Sequence, residues 1–487
     1  MDLVVKNGTL VLPGAVYPAD VGVVGERITA VGEELRGAVE LDATGCYVLP
    51  GGVDPHVHLQ MPVGDYVSAD DFGSGTVAAA LGGTTTVIDF VEPAPGEPLL
   101  AALAARQAEA DGRVAVDYSL HMTIPTWHAG QPDVLGGLRD VMGAGVPSFK
   151  LYLAYEGFRL DDAQLYRVMQ AIEQVNGLPL VHCENGPICE ALRSEALARG
   201  ETSPIFHALT RPPEQEAEAV SRAIDVAALV QSPVYIVHVS CEQSMSRVRA
   251  ARARGQDVYG ETCPQYLLLN GLALDEPGGE RLICSPPLRD KEDNVALWGG
   301  LAFRDLDVLA TDHCPFSAAE KSGHADFSTV PGGLPSIEAR LSLAHHFGHF
   351  HPDDLTSSPR RPVEGSHPEP VEGACPELVE GMTLGRWVEV CCTNPARVFG
   401  LSRKGYVAPG FDADLVIFDP GRWVTLQARR TLHERVDWSP YEGLRVQGWP
   451  RDVLCRGRVV VRDGEFVGAA GWGRFVSRKG NGQDVHD

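Results

Sequence analysis

Between residues 51 and 313 the chain repeats one unit: a short β-branched run closing on polar or ionisable residues, then an Ala/Leu/Glu/Arg-rich stretch of helical character. The runs close at GGVDPHVHL, TTTVIDF, AVDYSLHM, SFKLYL, LPLVHCE, PVYIVHV, DVYGETC and DVLATDH. Asp89, His121, Lys150 and His182 follow one another at intervals of 32, 29 and 32 residues, close to the ~30 residues of one strand–helix–strand unit. Eight such strands predict an α/β fold of the (β/α)8 barrel type. An open doubly wound sheet usually carries a Gly-rich phosphate turn after its first strand, and here that position holds HVHLQMP.

The two ends of the chain read differently. Residues 1–50 alternate short strand-like runs with Gly and Asn turns, and residues 400–475 do the same. We expect one small β-sandwich domain built from both ends, flanking a catalytic barrel over 51–399, with a flexible tail at 476–487. Residues 357–381 break the rhythm: Val-Glu-Gly recurs at 363, 371 and 379 in a Pro/Glu/Gly/Ser-rich stretch. Such a segment buries too little apolar surface to offset its ordering entropy, so it is expected to be an exposed low-complexity insertion.

The net charge of −24, with no strongly basic stretch, disfavours nucleic acid or an anionic membrane as partner, because both demand clustered cations. No apolar run approaches the ~20 residues of a membrane span, and the start MDLVVKNGTLVLPG, without a basic n-region and an apolar h-region, leads us to expect no signal peptide. A cytoplasmic protein is expected. Eleven cysteines without a CxxC pair fit neither a disulfide framework nor a thiolate zinc site.

The strongest chemical signal is Asp54-Pro-His56-Val-His58. On a strand, residues two apart point to the same side, so the two imidazoles converge as a metal site requires. Alone the pair is weak evidence, since solvated His-x-His pairs occur. Its position adds weight: in (β/α)8 enzymes the C-terminal strand ends form the active-site face, and Lys150, His182, His238 and Asp312 close other strands. Each has a bland alternative. His182 and His238 suit core histidines, Asp312 suits a helix cap, and Lys150 suits a snorkelling cation. Lysine is also a poor metal ligand, because its ammonium repels a cation.

The segments GGVDPHVHLQMP, SFKLYLAYEG, LPLVHCENG, HALTRPPEQEAEA, VYIVHVS, ETCPQYL, CSPPLR, ATDHCPF and TNPARVFGL together resemble the dihydropyrimidinase and hydantoinase branch of the cyclic amidohydrolases. The resemblance covers nearly the whole chain apart from 357–381. It implies that Lys150 is carboxylated by carbon dioxide to an anionic carbamate bridging two divalent metal ions, zinc above all. His56, His58 and Asp312 would hold one ion, and His182 and His238 the other. Asp312 would move the proton, Tyr155 would steady the oxyanion, and the main chain of Ser285 and Gly332 would hold the substrate ring. The family commonly has Asn where Gly332 stands.

The resemblance further implies a small cyclic amide as substrate and a homotetramer or homodimer as assembly. Dihydroorotases, which are related, typically place a carboxylate-gripping arginine two residues after the histidine pair, where this chain has Gln60. Allantoinase is disfavoured because its acidic, arginine-containing stretch after the histidines is absent. A neutral dihydropyrimidine or hydantoin ring remains, with Met61, Val63 and Phe158 as candidate walls for a ring substituent. Non-enzymatic scaffolds of the same fold lose metal ligands, and here all six are retained.

Overall fold

The computed structural model describes residues 1–131, 133–348 and 381–480. Its centre is an eight-stranded, all-parallel sheet of Gly52–Val57, Thr84–Val91, Asp117–Thr123, Ser148–Tyr152, Leu178–His182, Val234–Ile236, Val258–Thr262 and Val308–Leu309, taken in chain order. Both faces of every strand are almost wholly buried, as parallel strands under helices must be. The first and eighth strands meet through a parallel bridge between Val57 and His313, with the His58 N–H donating to the His313 carbonyl at 2.8 Å. The strand–helix rhythm therefore does close into a barrel.

Period-two alternation decides what reaches the mouth. Leu178 and Leu180 belong to a buried cluster with Ile88, Tyr235, Val308 and Ala310, plugged by Ala396, Val398, Phe399 and Leu401. Continuing two residues at a time, the same strand faces carry His182 and Asp312. The first strand breaks this parity: Val53 joins that cluster, yet Val57 packs in the large outer core. A register irregularity between Asp54 and Val57 makes the switch, and it turns His56 and His58 inward.

A nine-stranded mixed sheet unites the two chain ends. Its seam is the antiparallel pairing of Tyr47–Pro50 with Leu415–Thr425, Val416 opposite Leu49. Val5, Leu10, Val21 and Val48 share one core with Leu415, Ile417 and Leu454. The expected insertion lies outside the described residues except for Gly381. The expected tail is only partly so: residues 481–487 are outside, but 476–480 are fastened to the barrel, contrary to the expectation. The Val476 N–H donates to the Tyr118 carbonyl at 2.7 Å, and the buried Arg478 reaches Ser119 and Ser148, each at 2.8 Å. Its Gly/Lys/Asn-rich neighbourhood concealed a cation whose partners lie more than 300 residues away in the chain.

Candidate active site

His56, His58, Lys150, Tyr155, His182, His238, Ser285, Asp312 and Gly332 all line one cavity of about 330 Å³ at the C-terminal ends of the barrel strands. Met61, Val63 and Phe158 line it too. Asp89 and His121, the other strand-end markers, stay out of it: Asp89 pairs with Arg106 at 2.7 Å, and His121 lies deeper, bonded to Ser148 Oγ at 2.6 Å and to the Pro55 carbonyl at 2.9 Å.

On one side of the cavity, Asp312 Oδ1 lies 3.0 Å from His58 Nε2 and 3.2 Å from His56 Nε2. Opposite, His182 Nδ1 lies 2.9 Å from His238 Nε2. Lys150 sits among them, its Nζ 5.0 Å from the centre of the Phe90 ring and 5.2 Å from that of Tyr152. Asp312 and His238 both adopt left-handed backbone, with φ of 52° and 37°. Non-glycine residues avoid that region, and such departures cluster where side-chain direction matters more than local comfort.

Burial governs the protonation of these groups. It holds His56 and His238 well below the usual imidazole range and lowers His182 despite the adjacent Glu184. Neutral imidazoles keep a lone pair for a cation. Burial works to raise the Asp312 carboxyl, but His56, His58 and Lys150 outweigh it and bring the group down to about 2. The same desolvation pulls Lys150 down to about 8 against Asp312 and Glu261. It raises the Tyr155 hydroxyl, helped by Glu184, so Tyr155 remains a proton donor.

The donor set fits divalent metal ions. One ligand atom from each of His56, His58 and Asp312 falls within 4.8 Å of the others. Buried His56 Nε2, 3.2 Å from Asp312 Oδ1, makes no hydrogen bond, a costly condition that coordination would relieve. Carboxylates behind two rings fix their orientation. Glu261 Oε1 accepts from His56 Nδ1 at 2.7 Å, leaving Nε2 to face Asp312. Glu184 Oε2 accepts from His182 Nε2 at 2.9 Å, leaving Nδ1 to face His238. This arrangement of carboxylate, imidazole and open nitrogen is how metal-site histidines are oriented.

The family model for the amidohydrolase family matches residues 47–208 and 374–460. The D-hydantoinase of Geobacillus stearothermophilus is 42% identical over 98% of this chain and 97% of its own. The chain belongs to the hydantoinase and dihydropyrimidinase branch of the amidohydrolase family. Solved structures agree with this placement. D-hydantoinase from a Bacillus species superposes with a TM-score of 0.89 at 41% identity, covering 99% of this chain and 100% of that one. Dihydropyrimidinase from Brevibacillus agri does so at 0.90 and 38%, with the same coverage.

Several residues that shape this amidohydrolase site escaped sequence reasoning. Glu261 was available from the strand-end rule, since ETC closes the seventh strand, but nothing local says that it lies behind His56. Its remaining bonds come from the Tyr235 hydroxyl at 2.7 Å and the His238 N–H at 3.0 Å, and burial raises its carboxyl to about 7. Glu184 stands two residues after His182, and Arg211 pairs with it at 2.8 Å from another segment. Gln60 does not line the cavity, and Arg159, Arg193 and Arg211 line an adjoining cavity that shares Tyr155, Ser285 and Gly332 with it.

Proposed function

We propose that this chain opens the ring of a neutral cyclic amide by hydrolysis. The product is an N-carbamoyl-β-amino acid from a 5,6-dihydropyrimidine, or an N-carbamoyl amino acid from a hydantoin. The observation that carries the reading is the convergence of two pairs of imidazoles, one completed by Asp312, around a desolvated lysine in one cavity. Full-length relatives named D-hydantoinase support it. Gln60, standing where dihydroorotases place a carboxylate-gripping arginine, favours a ring without a carboxylate.

His56, His58 and Asp312 would hold one divalent ion and His182 and His238 the second, with carboxylated Lys150 between them; zinc suits a donor set of imidazole and carboxylate. When bound, such ions lower the pKa of water and polarise a carbonyl oxygen, supplying a nucleophile at neutral pH. Carboxylation begins with the Lys150 Nζ lone pair. It attacks carbon dioxide, an N–C bond forms as a C=O electron pair moves to oxygen, and one N–H proton leaves to solvent. A pKa near 8 makes the neutral amine available for that attack.

Asp312, ionised at neutral pH, accepts the proton of the attacking water on Oδ and delivers it to the departing ring nitrogen. Tyr155, still protonated, donates its hydroxyl to the oxyanion that develops on the attacked carbonyl. The backbone of Ser285 and Gly332 would hold the ring imide. A cytoplasmic homotetramer or homodimer belongs to the same reading and rests on the family resemblance. The decisive experiment compares rates of the zinc-loaded protein on dihydrouracil, 5-substituted hydantoins, dihydroorotate and allantoin. Turnover of the first two is expected, and dominant activity on dihydroorotate would overturn the argument from Gln60.

A further inference from the structure

Lys321 ends the short helix Ala318–Lys321 in a segment, AEKSGH, that looks like solvated surface. It is fully buried. Its Nζ donates to three backbone carbonyls: Ile283 at 2.8 Å, Pro331 at 3.0 Å and Gly333 at 2.8 Å. Phe316 and Trp438 flank it, their ring centres 6.0 and 5.9 Å away. Among the described residues no carboxylate partners it and burial lowers it to about 7, so the three carbonyls, which take one N–H each, are what favour the charged form. Burying an ammonium without a counter-ion is expensive, so the three carbonyls must be where its value lies.

Those carbonyls belong to the two loops that carry Ser285 and Gly332. The Pro331 carbonyl and the Gly332 N–H share one peptide plane, so fixing the oxygen aims the nitrogen. The Gly333 carbonyl fixes the next plane but one, which it shares with the Leu334 N–H. Ile283 lies two residues before Ser285, and its carbonyl also accepts the Gly333 N–H at 3.0 Å, which joins the loops directly. Close packing removes slack here: a Cβ on Gly333, whose φ is 145°, would come within 2.2 Å of the Cys314 carbonyl oxygen. A charge also polarises the peptides it bonds, making their N–H groups better donors.

We propose that Lys321 is a positioning residue for substrate binding, a buried cation that clamps the 283–285 and 331–333 loops at the spacing the ring requires. It touches neither the substrate nor the metal ligands and acts only through the backbone it holds. The inference rests on the reading of Ser285 and Gly332 as main-chain ring holders. Contacts of that kind serve ground state and transition state alike, so their loss appears in KM and leaves kcat largely intact.

The test uses zinc-loaded Lys321→Met and Lys321→Gln, with metal content measured on each sample. Lys321→Met removes every donor, and KM for dihydrouracil or hydantoin is expected to rise about tenfold while kcat stays within about threefold. Lys321→Gln keeps two amide N–H donors and should recover part of that loss. A folded Lys321→Met with wild-type KM overturns the proposal, as does a fall in kcat that tracks lost metal. Should neither variant fold, hydrogen exchange on the wild-type holoenzyme decides: a competitive ring analogue must protect both loops together, and protection of one alone overturns the clamp. Wild-type protein that turns over neither ring would remove the proposed function itself, an outcome distinct from normal turnover with an indifferent Lys321.

Discussion

Among the described residues, two clusters offer three metal-type ligand atoms within 4.8 Å, and they have opposite fates. His56, His58 and Asp312 stand at the barrel mouth. Asp117, Asp412 and Asp414 stand where the third barrel strand meets the sheet built from the chain ends. In the second, Lys404 Nζ lies 2.6, 3.1 and 2.7 Å from the three carboxylates, and Arg456 Nε adds a bond to Asp117 at 3.0 Å. The place a cation would take is filled by one that the chain provides. At the mouth, buried His56 Nε2 faces Asp312 without making a hydrogen bond. Ligand-type residues in proximity therefore say little by themselves; what decides between a lock and a site is whether the fold has already compensated them.

The comparison can be broken from either side. The largest effect is expected at the mouth, where Asp312→Ala should lower kcat about ten-thousandfold, on the order of 5 kcal/mol, while the protein unfolds as cooperatively as before. A loss confined to KM would show that Asp312 is not the proton carrier. At the base, Lys404→Met should cost about 3–5 kcal/mol of stability by leaving buried carboxylates unpaired. Steady-state rates corrected for the folded fraction should remain close to wild type, and a large drop in kcat at full folding would mean that the lock reaches the site.

The two lysines should also part in pH. Burial lowers Lys150 to about 8, so re-carboxylation of metal-stripped protein at a fixed concentration of dissolved carbon dioxide should quicken as pH rises towards 8 and level off above it. Uptake that kept climbing past pH 10 would indicate an unperturbed amine. Lys404 is pushed the other way: burial opposes its charge, but Asp414 and Asp117 outweigh that and raise it well above 10.5. Its stabilising contribution is thus fully present below about 10.5 and is lost only as pH climbs through the raised value, a window for denaturation measurements well above that of Lys150. The smallest effect is expected from Gly332→Asn. A Cβ there meets only Cys284 Cα, at 4.0 Å, so stability should change by less than about 0.5 kcal/mol and KM by less than about twofold. A larger change in KM would mean that the glycine itself is needed for ring binding.

The legible parts of the molecule were those written in local periodicity. Runs of β-branched residues at intervals near thirty residues pointed to the barrel, and strand ends rich in His, Lys and Asp marked its mouth. What escaped were the groups that act from behind. Glu261 meets His56 across 205 residues of chain, Arg211 meets Glu184 across 27, and Arg478 crosses more than 300 to fasten the end of the described chain. Lys321 carried the composition of a surface loop and became a buried clamp, because burial is a property of everything packed around a residue. The inward turn of His56 and His58 depended on a bulge that the alternation pattern could not reveal.

The sequence by itself determined the eight strands, the β-rich ends and the six ligand-type side chains, because period and residue chemistry are local and survive in one dimension. Tertiary structure alone decided which charges are neutralised. It placed Lys404 against three aspartates, left His56 Nε2 beside Asp312 without a hydrogen bond, and buried Lys321 under two loops. Desolvation and pairing depend on distances that close only when segments hundreds of residues apart come together.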